Sequence, residues 1–239
     1  MTSCFSLRNE MTRMRNSALL VISLIALALL PASLSAQDDV KRDAQEMHRL
    51  HTDPKAYIGM LDDPKRDAYQ KPHEVLAALN LKPGEVIADI GAGSGYFSFR
   101  LGHHVGAKGK VYAVDVSPDM IRHINRRIRE LKANNIVSIL AEPNDPLLPE
   151  QSVNRFFICD VWHHVDGQAK YLSLMKRMLI PGGEIVMIDF HKKELPVGPP
   201  LRMKIAREDL IKQMESSGFR LSKEHSFLPY QYFLVFASK

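Results

Sequence analysis

The chain has 239 residues, 45% of them hydrophobic and 25% charged, with a net charge of +5 at pH 7. That length and balance are ordinary for a globular protein and suit one domain with a full-sized core. The basic excess is modest and no nucleic-acid-binding motif accompanies it, so nucleic acid is not an expected partner; with only two cysteines, a disulfide framework is excluded.

The first element is a leader. Arg8, Arg13 and Arg15 precede an apolar run over residues 18–30, followed by Pro31 and small residues up to Ala36. A positive start, a short apolar stretch and a small-residue exit are the pattern of a signal peptide. The run is shorter than the roughly 20 apolar residues that a membrane span needs. Cleavage after Ala36 places Leu34 where a small residue is preferred, so an uncleaved membrane anchor is the alternative. The expected location is periplasmic or secreted, with inner-membrane anchoring through residues 1–36 as the other reading. Membrane contact is expected only through that N-terminus. Removing the leader takes Cys4 with it and leaves Cys159 alone.

Residues 38–60 read as a charged amphipathic helix broken by Pro54. Residues 62–72, "DDPKRDAYQKP", read as a polar connection bounded by prolines. Residues 73–81 form a short amphipathic helix, and "KPGE" is a turn. From Glu85 the rhythm changes to alternating strands and helices. The strands are "VIADI", "KVYAVDV", "IVSIL", "RFFICDV", "GEIVMIDF", "FRLSKEH" and "YQYFLVFAS". The helices between them cover residues 95–104, 118–132, 168–178 and 208–217. In the helix containing "IRHINRRIRE", Ile121, Ile124, Ile128 and Leu131 are expected on the buried side. This alternation predicts an α/β fold: a doubly wound, Rossmann-like, seven-stranded and mostly parallel sheet, with helices on both faces. The last two strands are close enough for an antiparallel hairpin at the edge. The expected division is a leader over 1–36, a helical cap over 37–84 and the sheet domain over 85–239.

The segment "VIADIGAGSGYF" carries the chemistry. Gly91, Gly93 and Gly95 follow the first strand and open its helix, a context in which backbone approaches a ligand closely. The dinucleotide fingerprint fails, because Tyr96 stands where its third glycine belongs. A phosphate loop fails too, because no Gly-Lys-Ser/Thr follows. Asp89 ends the first strand and Asp115 the second. A carboxylate at Asp115 can accept both hydroxyls of a ribose. Negative charge at Asp89 opposes a pyrophosphate and favours a cation. S-adenosylmethionine has a sulfonium, an ammonium and a ribose without phosphates, so it fits better than a nicotinamide dinucleotide.

Here the chain resembles the class I S-adenosylmethionine-dependent methyltransferases, and more closely a group of exported bacterial methyltransferase-like proteins. "ADIGAGSGYFS" resembles their first motif and "VYAVDVSPDM" their second. "LAEPNDPLLPEQSVNRFFICDVWHH" and "LIPGGEIVMIDF" resemble the third and fourth, in the same order. The resemblance implies a cofactor site made of Asp89, Gly91, Ala92, Gly93, Gly95, Asp115 and Val116. It places Glu142 and Pro143 beside the adenine, where the family more often has Asp-Ala, and Asp160 near the methionine part of the cofactor. It also implies an N-terminal lid, which residues 69–73 would line.

His163 and His164 follow the fourth strand at the expected mouth of the site. Histidine suits proton removal near neutral pH, and pocket lining is the competing role. Adjacent histidines in a loop rarely aim at one ion, and no Cys-x-x-Cys or His-Glu-x-x-His pattern is present, so no metal is expected. The expected activity is methyl transfer to an O, N, S or C nucleophile of a small-molecule acceptor. A noncatalytic exported protein retaining the fold and an NAD-binding oxidoreductase are the alternatives.

Overall fold

Pro54 opens a helix. In the computed structural model, which describes residues 53–239, α1 (Pro54–Leu61) starts on this proline. The Asp53 carboxylate caps it, accepting from the N–H groups of Lys55 at 3.1 Å and Ala56 at 3.0 Å. A fixed φ and a missing N–H are no handicap in a first turn. The leader and residues 38–52 lie outside the described residues. The stretch 62–72, expected as an irregular connection, folds into a 3₁₀ turn (Pro64–Arg66) and the single helical turn α2 (Asp67–Gln70). Lys71 then turns left-handed, with φ of +41°, and α3 (Pro72–Leu79) follows.

Strands and helices then alternate: β1 (Val86–Ile90), α4 (Ser98–Val105), β2 (Lys110–Asp115), α5 (Pro118–Leu131), β3 (Ile136–Leu140), β4 (Val153–Cys159), α6 (Gln168–Met178), β5 (Leu179–Phe190), α7 (Arg207–Ser216), β6 (Phe219–His225) and β7 (Gln231–Ser238). The seven strands make one sheet in the order β3-β2-β1-β4-β5-β7-β6. The first five run parallel, and β7 pairs antiparallel with both β5 and β6. This is the doubly wound, Rossmann-like sheet with an antiparallel C-terminal pair that the sequence predicts.

Alternate strand residues feed two cores. In β4, Phe156 and Ile158 join the face covered by α6 and α7, while Phe157 joins the face covered by α3, α4 and α5. All three are 1% exposed or less, and each such burial contributes about 1.5–3 kcal/mol. Val75, Leu76 and Leu79 of α3 belong to the second core, so the segment before the sheet is built into it.

Local differences from expectation have local causes. Gly95, with φ of +82°, stays in the loop, and α4 starts at Ser98 instead of Gly95. β4 ends at Cys159 because Asp160 is left-handed, with φ of +59°. On α5, Leu131 is 59% exposed past the last packed turn, while His123 is buried in its place. The chain winds outward from β1 in one direction and from β4 in the other. The crevice at the carboxyl ends of these two neighbours is where such sheets bind ligands.

Candidate cofactor and acceptor site

The loop after β1 is held by main-chain bonds. The N–H groups of Gly91 and Ala92 both donate to the Val114 carbonyl, at 2.8 and 3.0 Å, and Gly95 N–H donates to the Ala92 carbonyl at 2.8 Å. Gly91 has φ of +67° and Gly93 of +56°, conformations costly to side chains. A Cβ at Gly91 would overlap the γ carbons of Val161, and one at Gly93 would come within 2.9 Å of Leu61 Cδ1. Bare backbone is therefore presented between the end of β4 and the end of α1.

Asp115, at the end of β2, crosses to this loop. One carboxylate oxygen accepts from Gly93 N–H at 2.8 Å and the other from Ser117 N–H at 2.8 Å. Ser117 caps α5 in turn, accepting from Met120 N–H at 3.4 Å. A carboxylate has about four lone-pair sites, so Asp115 can tie the loop and still receive hydroxyls. Burial raises its pKa, and these backbone donors pull it back. Asp89 is 3% exposed and accepts from Ser98 Oγ at 2.5 Å. Burial lifts its pKa to about 7, against the Ser98 bond and assisted by the Asp115 charge. Val116, 55% exposed, stands just past β2. Glu142 and Pro143 are exposed just past β3, with Glu142 bridged to Asp145 through backbone bonds of 3.1 and 3.2 Å. The cofactor residues expected from sequence thus gather along one edge.

The end of β4 divides the remaining candidates. Trp162 is core, donating from Nε1 to Gln213 at 2.9 Å. His163 Nδ1 lies 2.9 and 3.0 Å from the two carboxylate oxygens of Asp189, with side chains 2% and 1% exposed. His164 is exposed, its ring 4.3 Å from that of His163. Asp160 turns into a different cluster. Its carboxylate accepts from Gln70 Nε2 at 2.5 Å and from Gln231 Nε2 at 2.6 Å. Burial raises the Asp160 pKa, and the Asp189 charge adds to this.

The segment before the sheet covers this edge. Leu61 faces Gly93, and the Asp115 charge acts on the Tyr57 phenol. Asp62 lies 3.5 Å from His123 Nε2 and 3.6 Å from Arg127 Nη1. Arg127 also donates to the Ser94 carbonyl at 3.0 Å, so this cation beside the loop is already paired. Arg66 lies over the Tyr96 ring at 4.5 Å, and the Tyr96 hydroxyl donates to Asp67. The Tyr69 ring lies 6.1 Å from Phe190 and 6.2 Å from Tyr230. Of the expected lid residues, Tyr69 and Gln70 face the site, whereas His73 is exposed. Asp189 and Gln231 are functional candidates that the sequence reading missed. The signal for Asp189 was the one that singled out Asp89, an acid at the end of an apolar strand. Gln231 offered only a polar side chain at the start of one.

A glycine loop after the first strand, a carboxylate after the second and a crevice where the winding reverses define a nucleoside-cofactor-binding Rossmann-like protein. A sequence profile described as a methyltransferase domain matches residues 81–225, and the chain belongs to that family. It is 29% identical to an S-adenosylmethionine-dependent methyltransferase from Aquifex aeolicus, with a TM-score of 0.74 over 78% of this chain and 99% of that one. It is 28% identical over 109 residues to an arsenite methyltransferase of Halobacterium salinarum, covering 46% of this chain and 28% of that protein. It is 25% identical over 114 residues to a ubiquinone/menaquinone biosynthesis C-methyltransferase of Shewanella baltica, covering 47% and 45%. The chain spans less than half the length of these two curated relatives. S-adenosylmethionine is the cofactor that this membership brings. The residues present fit it: bare backbone at Gly91 and Gly93, open lone pairs on Asp115, and two carboxylates suited to a cation.

Proposed function

We propose that the chain transfers a methyl group from S-adenosylmethionine to a nucleophile of a small-molecule acceptor. The observation that carries this reading is the Asp115 carboxylate bonded to the Gly93 N–H, which joins the ribose acid and the glycine loop in one unit. When bound, the cofactor supplies an electrophilic methyl group on a cationic sulfur. Gly91, Ala92, Gly93 and Gly95 would meet it with backbone. Asp115 would receive its hydroxyls, Val116, Glu142 and Pro143 would border its base, and Asp89 would favour its charge. The covering segment from Tyr57 to Gln70 would exclude water and hold the reactants in line. His163, with Asp189 fixing its Nδ1, and His164 are the histidines available to move a proton. Residues 1–36 would direct export or anchor the protein, which N-terminal sequencing of the membrane and periplasmic fractions would distinguish.

The test is calorimetric titration of S-adenosylmethionine, S-adenosylhomocysteine and NADH into the folded protein. Micromolar binding of the first two, about −8 kcal/mol, supports the reading. Binding of NADH alone, or of none of the three, overturns it.

A further inference from the structure

Gln70, Asp160 and Gln231 come from the covering segment, the end of β4 and the start of β7, yet they meet as one group, the two glutamines buried and Asp160 half-buried. Gln70 is 0% and Gln231 1% exposed. Their amide orientations are fixed, because each Nε2 donates to a different oxygen of the Asp160 carboxylate. Turning either amide over would set its oxygen against that carboxylate. With this orientation the cluster is short of donors. Gln231 Oε1 is fully buried and has no hydrogen-bond partner among the described residues. Gln70 Oε1 accepts from the Cys159 thiol at 3.4 Å, a weak donor at ordinary length for sulfur, and from Gln231 Nε2 at a long 3.4 Å.

A buried acceptor without a donor costs about 1–3 kcal/mol, and a left-handed backbone at a non-glycine residue such as Asp160 costs more of the same order. Such costs persist where a site uses them. The charge balance points the same way. Asp189 adds a second carboxylate to the surroundings of Asp160. The Arg66 guanidinium, the cation acting on this group, is committed to the Leu61 carbonyl and the Tyr96 face. What the cluster lacks is a positively charged hydrogen-bond donor.

We infer that Gln70, Asp160 and Gln231 form the acceptor subsite, and that the acceptor is an amine, held through its N–H groups by the Asp160 carboxylate and Gln231 Oε1. This rests on the methyltransferase reading above and names the substrate class of that site. The subsite borders the glycine loop, since Val161, next to Asp160, packs against Gly91. Both glutamines fall outside residues 81–225, the part matched by the methyltransferase-domain profile. The family module thus supplies the carboxylate, and the flanking segments supply the selectivity.

The test compares two cofactor analogues by calorimetry. S-adenosylhomocysteine has a neutral sulfur at the reacting centre, and sinefungin carries an amine there. Wild-type protein should bind sinefungin at least about tenfold more tightly, the scale of one charge-assisted hydrogen bond. Gln231→Leu should cut that advantage by about tenfold while leaving S-adenosylhomocysteine affinity within about twofold. Gln70→Leu, on the covering segment, keeps the test open if the β7 variant fails to fold. Equal losses for both ligands would assign the cluster to the amino-acid end they share and overturn the inference. A sinefungin advantage that survives Gln231→Leu and Gln70→Leu undiminished, or is absent from wild type, would overturn it too. Failure of the folded wild type to bind S-adenosylhomocysteine would instead remove the methyltransferase reading itself.

Discussion

The two halves of the carboxyl edge are built in opposite ways. The half at β1 and β2 is made of backbone and near neighbours: glycines at every second position and a carboxylate reaching from one strand to the next. The half at β4, β5 and β7 is made of side chains that arrive from far apart, Gln70 meeting Asp160 across 90 positions and Gln231 across 71. A ligand portion common to a whole family can be met by backbone, which any side chain would only obstruct. A ligand portion particular to one protein needs side chains, and these can come from wherever the fold delivers them.

Breaking the first half should cost most. Gly91→Ala faces about 1–2 kcal/mol of backbone strain and a further 1–3 kcal/mol or so of overlap with Val161. Cofactor affinity should fall by about a hundredfold or more. Adding Val161→Ala should recover the overlap share alone, and complete recovery in a double-mutant cycle would show that the left-handed backbone is not required.

Asp115→Ala comes next. It strips the acceptor from Gly93 N–H and Ser117 N–H together, at about 1.5–3 kcal/mol for a charged hydrogen bond. S-adenosylmethionine binding should weaken by about ten- to a hundredfold in calorimetry. An unchanged affinity would separate Asp115 from the loop it is bonded to.

Asp89→Asn tests the charge with a defined pH signature. In the folded chain the carboxyl ionises only at about pH 7, because burial raises its pKa, whereas in the unfolded chain it ionises near pH 4. Between these values the unfolded chain binds fewer protons, so this group lowers stability as pH rises, by at most about 1.4 kcal/mol per pH unit. The Asn variant escapes that loss. Its melting advantage should be absent below about pH 4, grow up to about pH 7 and stay level above. A constant offset across pH 4.5–8 would contradict a raised pKa. The same variant should weaken S-adenosylmethionine relative to S-adenosylhomocysteine.

In the second half, Asp189→Ala leaves His163 Nδ1 without its acceptor inside the core, at about 1–3 kcal/mol. The melting temperature should fall by several degrees, while S-adenosylhomocysteine affinity holds. A matching loss of affinity would mean that the two halves are not independent. The smallest effect belongs to Asp62→Ala. Its partly exposed pairs with His123 and Arg127 are worth well under about 1 kcal/mol. It should alter cofactor association rate by stopped-flow fluorescence more than it alters melting.

Much of this was legible before any coordinates. The strand–helix alternation set the parallel sheet, and the glycines with Asp89 and Asp115 marked the ends of its first two strands, because hydrophobic period and backbone permissiveness are written in neighbouring residues. Pro54 was legible as an interruption but not as a start, because a helix-breaking residue and a helix-opening one are the same residue until its position in the helix is known. His163 and His164 were read together as the mouth of the site, yet although their rings lie 4.3 Å apart, only the His163 side chain is buried.

The sequence by itself therefore determined the scaffold and the position of the glycine loop at the end of its first strand. Tertiary structure alone decided which polar side chains face one another: His163 with Asp189, Asp62 with His123, and Gln70 and Gln231 on Asp160. The physical reason is range. Periodicity and φ preferences act over a few residues, whereas a buried hydrogen bond is decided by whichever donor and acceptor the packed sheet brings within 3 Å, with no regard to their separation along the chain.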